Sequence, residues 1–147
     1  MKLQLLSFLS LFIPASALAQ AHAWEANPVE SKIGIHVIPN FGDDPTVYLP
    51  IISEEAVRSA LRSVDWVNGF HQVVVVLSPG TSMEVGGSLE PDHGLAAVYR
   101  NRHEQTEAVT KYAPEAVDDL EAILIAFLNL GDGWTRVQEF EFWHGRR

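Results

Sequence analysis

Six histidines, a few glycine-flanked serines and nineteen carboxylates are the side chains with chemistry to offer. His93 follows Asp92 in the loop Glu90-Pro91-Asp92-His93-Gly94, and His103 lies ten positions on, beyond an apolar stretch with strand character. If that stretch pairs with its neighbours, both imidazoles approach a common edge. A metal needs a third convergent ligand, and no HxH or HExxH spacing is present. No metal and no cofactor is therefore expected. Ser78, Ser82 and Ser88 lie near glycines, but none stands in a G-x-S-x-G elbow, and turn chemistry accounts for them. Gly86-Gly87 lacks the phosphate-cradling pattern and reads as a bulge or a close backbone approach. No catalytic residue is assigned.

Carboxylates offer acid–base pairs in principle, yet Asp118, Asp119 and Glu121 read as a solvated helix face. Glu139, Glu141 and Trp143 share a strand parity opposite Phe140 and Phe142. If the phenylalanines fill the core, an acidic stripe edged by tryptophan is exposed, and aromatic residues beside charge suit a protein interface. Glu139, Glu141 and Trp143, with Asp92 and His93 from the loop, are the expected partner-binding residues.

These residues need a frame. Lys32 to Pro39 alternates as a strand, Asn40 to Pro45 is a turn-rich loop, and Thr46 to Ile52 is a short extended piece. Ser53 is an N-cap for a helix over Glu54 to Val64, with Val57, Leu61 and Val64 on one face. Gln72 to Leu77 is continuous and β-branched, as in a strand covered on both faces. Ser82 to Val85 and Leu95 to Arg100 are further strands, and Glu107 to Tyr112 is a possible extension of the sheet. Pro114 is placed at the first position of a second helix running to Leu130. Its stripe is Val117, Leu120, Leu124, Phe127 and Leu128, and Gly131-Asp132-Gly133 is the stop. Thr135 to Trp143 alternates as a final strand. The order βαβββαβ predicts a single α+β domain, a mostly antiparallel sheet with two helices.

The first residues carry a different signal. Lys2, the apolar run Leu3 to Ile13, Pro14 and Ala17-Leu18-Ala19 follow the order of a secretory signal peptide. Cleavage is expected after Ala19, with Ala23 as a second candidate. The run is shorter than the roughly 20 residues that span a bilayer. Loss of 19 of the 147 residues leaves 128, and loss of Lys2 takes the net charge from −9 to −10. Residues 20–31 then form a leader and 32–147 the domain, located in the periplasm or medium, with no membrane insertion expected after cleavage. A chain of this length buries about two-thirds of its unfolded surface and holds a core without staples. Cysteine is absent, which excludes disulfides, thiol catalysis and a lipid-bearing cysteine. The acidic balance argues against nucleic acid, whose phosphates call for clustered Lys and Arg. It fits a basic protein partner, whose approach a field of this sign speeds.

Val64-Asp65-Trp66 closing a helix, Val85-Gly86-Gly87-Ser88, Gly94-Leu95, Tyr99, and a helix ending at Phe127 before Gly-Asp-Gly compose an outline over roughly residues 50–143. It resembles small immunity proteins of bacterial polymorphic-toxin and contact-dependent systems. The resemblance implies a compact non-enzymatic protein that binds and blocks a cognate toxin. With a signal peptide, that toxin would act in the periplasm. The alternative left open is a secreted small-ligand-binding protein or hydrolase with a dispersed acid–base site.

Overall fold

The computed structural model describes residues 28–129 and 131–144; the expected signal peptide and most of the leader lie outside them. The chain is a single α+β domain built on one seven-stranded antiparallel sheet. A one-turn helix α1 (Pro28–Ser31) leads into β1 (Gly34–Ile38), a 3-10 turn (Pro39–Gly42) and β2 (Val47–Leu49). Helix α2 (Glu54–Arg62) crosses to the central strands β3 (His71–Ser78), β4 (Thr81–Gly87), β5 (Leu95–Asn101) and β6 (Thr106–Thr110). Helix α3 (Val117–Leu128) and the short α4 (Trp134–Val137) precede β7 (Phe140–His144). The strand order is β2-β1-β3-β4-β5-β6-β7, so β2 and β7 are the two edges.

Ser53 caps α2 as its sequence predicts, its hydroxyl accepting from Ala56 N–H at 3.0 Å. Val57 and Leu61 from α2 and Leu120, Leu124 and Phe127 from α3 are buried on one face of the sheet. They meet Ile35, Val37, Val73, Val75, Met83 and Val85 there, with Val117, Leu128 and Phe140 partly buried against the same cluster. Ile123, outside the expected stripe, is fully buried as well. Arg58 on α2 reaches Glu121 on α3 at 3.7 Å, a partly exposed pair that joins the two helices.

Four expectations need correction. The sheet has two more strands than βαβββαβ provides, because Val47–Leu49 and Thr106–Thr110 both pair fully into it. Strand β4 runs to Gly87 rather than stopping at Val85. Its glycines permit this, since a Cβ on Gly86 would stand 2.9 Å from the His71 carbonyl oxygen and one on Gly87 would collide with the Gly94 carbonyl. Helix α3 starts at Val117, not Pro114. Asp119 Oδ2 accepts from Ala116 N–H at 3.0 Å and from Glu115 N–H at 3.1 Å, and this carboxylate sets the start. Asp119 is thus a cap rather than a bystander on the solvated face.

The fourth correction falls on the last segment. Residues 134–137 coil into α4, and only Phe140–His144 is extended. Trp134 is buried, stacked on Tyr99 at 4.6 Å and edge-on to Phe140 at 4.8 Å. Asp132 carbonyl accepts from Thr135 N–H at 2.9 Å, closing the turn. Burial of one indole together with that turn outweighs the local alternation.

Two of the histidines serve the frame. His71 Nδ1 accepts from Asn40 N–H at 3.1 Å, so Nε2 carries the proton and donates to the Asn68 carbonyl at 2.7 Å. His36, buried under the tilted Tyr48 ring, donates from Nε2 to the Lys32 carbonyl at 2.9 Å. Burial holds the His36 pKa below its ordinary 6.5; the Lys32 carbonyl opposes this and the Lys32 charge adds to it. A lowered histidine pKa means that the unfolded chain takes up the proton first as pH falls. Stability is therefore complete well above 6.5 and declines as pH falls through that value. His36→Gln should flatten this part of the profile, measured as melting temperature between pH 7.5 and about 5 for parent and variant.

Candidate functional site

The five expected partner-binding residues fall in two patches. Glu139, Glu141 and Trp143 lie along one side of the last strand, as their parity requires. In the register Val109 stands opposite Glu141 and Glu107 opposite Trp143, while Phe140 and Phe142 stand opposite Thr110 and Ala108 on the helical side. The division between carboxylates and phenylalanines therefore holds. Phe140 is half-buried, but Phe142 remains 46% exposed and Trp143 44%. Glu139 Oε1 is 3.5 Å from Lys111 Nζ. That carboxylate holds the Lys111 pKa above its ordinary value, with Tyr112 and the more distant Glu141 adding to it. Glu141 has no ion pair within 4.0 Å among the described residues and feels Lys111 only at longer range.

Asp92 and His93 sit in the loop before β5, at the same end of the sheet as Glu139. Strand β6 lies between, which sets the two patches about 10 Å apart at ordinary strand spacing. His93 is turned toward its own loop: Nδ1 is 3.4 Å from Glu90 Oε2, too poorly aligned for a hydrogen bond, and the ring stands edge-on to Phe70 at 5.7 Å. Asp92 is exposed. The common edge for His93 and His103 does not form, because they flank opposite ends of one extended strand. His103 instead lies 2.9 Å from the Pro79 carbonyl. Among the described residues no group of three or more His, Asp or Glu could hold a metal ion.

The most highly charged cluster lies outside the residues that the sequence singles out. On the sheet face opposite the helices, Glu84 receives hydrogen bonds from Gln72 Nε2 at 2.9 Å and Arg100 Nη1 at 3.1 Å. Arg100 Nε lies 3.7 Å from Glu107 Oε2, and Arg102 Nη1 lies 4.0 Å from the same oxygen. Arg102 then grips Glu30 of α1 with two bonds, 2.8 and 3.1 Å. Three carboxylates thus share two guanidinium groups. Arg100 is 4% exposed. Burial alone would lower its pKa, but Glu84, Glu107 and Glu30 outweigh burial and raise it, so the cation is secure.

The register lines up Ser82, Arg100, Glu107 and Trp143 across four adjacent strands. Ser82 Oγ and Glu107 Oε1 are buried and unpartnered at either side of Arg100. Ser82 is a strand residue, 1% exposed, so turn chemistry does not account for it. Ser88 does behave as a turn residue, its Oγ accepting from Glu90 N–H at 3.1 Å.

In the sequence, the signal for this network is the in-phase placement of Ser82 and Glu84 against Met83 and Val85, with Arg100 and Glu107 beyond. The same alternation describes a solvated face, so alternation by itself does not reveal the cluster. Chemically the network clamps four strands, β3 to β6, and α1 together, and Glu107 at its end stands opposite the exposed Trp143.

The residues that carry the immunity-protein resemblance serve packing. Trp66 is buried and donates from Nε1 to the Leu61 carbonyl at 2.9 Å, and Tyr99 supports Trp134. Compared with protein-family models, with curated proteins and with solved structures, the chain matches none.

Proposed function

We propose that the chain is an exported, non-enzymatic binding protein of the immunity type, one that holds and neutralises a toxin acting in the periplasm. The observation that carries this reading is the last strand. It exposes Glu141 and Trp143 on one face and Phe142 on the other at an edge of the sheet, on a chain of net charge −9. Large aromatic side chains beside an exposed carboxylate are the composition of a protein interface rather than of a bare solvent face. Export is supported by the order of Lys2, the apolar run and Ala17-Leu18-Ala19. No helix among the described residues is long and apolar enough to cross a membrane.

The test is capture of the partner by the mature protein from an extract of its own cells, followed by assay of the captured protein's toxicity with and without added inhibitor. The expected result is a basic protein whose activity is lost in the complex. A partner that stays fully active when bound would overturn the neutralising role. Replacement of both Glu139 and Glu141 by Lys should slow association with that partner, most at low salt, because steering acts through the long-range field. Equal on-rates for parent and variant at every ionic strength would remove these residues from the interface. For export, N-terminal sequencing of protein purified from the native cell should begin at or near Gln20. An intact Met1 on protein from the cytoplasm would contradict it.

A further inference from the structure

Sheet edges expose a row of backbone donors and acceptors, and stable proteins normally obstruct them. The two edges of this sheet are treated differently. β2 is three residues long and lies between Pro45 and Pro50, so little of it can template another strand. β7 has five residues, no proline, and aromatic side chains exposed on both of its faces.

The hydrogen-bonding phase of β7 is settled by one bond. Lys111 N–H donates to the Glu139 carbonyl at 2.9 Å, which makes 111 and 139 a hydrogen-bonded pair. Pairs in an antiparallel ladder alternate, so Glu141 and Trp143 also spend their backbone groups on β6. The N–H and C=O groups of Phe140, Phe142 and His144 therefore point away from the sheet, at the open edge. Glu141 and Trp143 flank that edge on one face and Phe142 on the other.

We propose that the partner binds by adding a strand to β7: an extended segment with Lys or Arg at alternate positions pairs with the outward backbone groups of Phe140, Phe142 and His144. This deepens the partner-binding reading and rests on it. The basic side chains lie on the face of Glu141 and Trp143, where one meets the exposed Glu141 carboxylate and another the indole ring. The intervening apolar side chains cover Phe142. The charge of the chain selects this occupant over a second copy, since two chains of net charge −9 repel one another.

The experiment uses the full mature chain and a blocked hexapeptide of alternating lysine and valine, followed by amide exchange of β7 and by titration. Binding should slow exchange at Phe142 and His144. The same peptide N-methylated on its pairing edge, and an alternating glutamate–valine peptide, should each bind about tenfold more weakly or worse. Phe142→Pro removes only an outward N–H, which an edge strand tolerates, and should bind about tenfold more weakly than Phe142→Ala. If Phe142→Pro does not fold, the N-methylated peptide still decides the matter. Equal affinity for the plain and N-methylated peptides, no binding of either, or a dimer of the mature chain closed through β7 would each overturn strand addition. If these arms fail while Glu139 and Glu141 variants still slow association with the native partner, the partner-binding reading stands without it. If those variants are also silent, both fall.

Discussion

Replacing Arg100 with alanine should destabilise the protein by about 3–5 kcal/mol, a large part of the roughly 5–15 kcal/mol that holds a domain together. The size follows from what is left behind. Glu84 and Glu107, with side chains 10% and 12% exposed, lose the cation between them and face each other's charge with little water to screen it. Glu107 already has one oxygen without a partner. Arg102 cannot take over the whole role, because Glu30 occupies it. Combining Arg100→Leu with Glu84→Leu should recover part of the loss, since removal of a buried pair is far less harmful than removal of one member. Chemical denaturation of parent, single and double variants measures this. A single variant within about 0.5 kcal/mol of the parent would mean that the cluster is solvated and exerts no clamp.

Phe127→Ala should cost about 3–5 kcal/mol through lost burial and the cavity left behind. Phe127 is 3% exposed, lies in the main core beside Leu124 and meets the Tyr99 ring edge-on at 6.1 Å. Tyr99 in turn supports Trp134, against which Phe140 packs, so the cavity opens beneath the start of β7. The melting temperature should fall by more than about 10 °C. Partner binding, measured beside it, should fall only in proportion to the folded fraction. Asp118→Asn, on the exposed side of the same helix, should change stability by under about 0.5 kcal/mol. An unchanged melting curve for Phe127→Ala would place the helix stripe in solvent and contradict the packing of α3 on the sheet.

Much of the frame was legible because burial imposes a period. The β-branched run of β3 has Val73 and Val75 fully buried toward the helices and Val74 and Val76 buried on the other face, as a strand covered on both sides requires. Ser53 and the α3 stripe declare their helices through a hydroxyl and a three- and four-residue spacing. Proline at 114 was misleading, because a carboxylate five residues later captured the donors that define the helix start. The stripe of Glu139, Glu141 and Trp143 was legible too, although its strand was expected to begin five residues earlier than it does.

What the amino-acid sequence determined by itself is therefore local and periodic: which residues alternate, which return every third or fourth position, and which two sides a strand has. Tertiary structure decided what covers each side. Alternation separates Ser82 and Glu84 from Met83 and Val85 but assigns neither pair to water. Only the sheet register brings Arg100 and Glu107 beside them and makes their burial tolerable. The same holds at residues 134–137, where the rings of Tyr99, Phe140 and Phe142 surround Trp134 and an alternating segment bends into a helix. An edge, likewise, is a property of the strand order alone. No stretch of sequence reveals that β7 lacks an outer neighbour among the described residues, because that depends on how all seven strands are arranged.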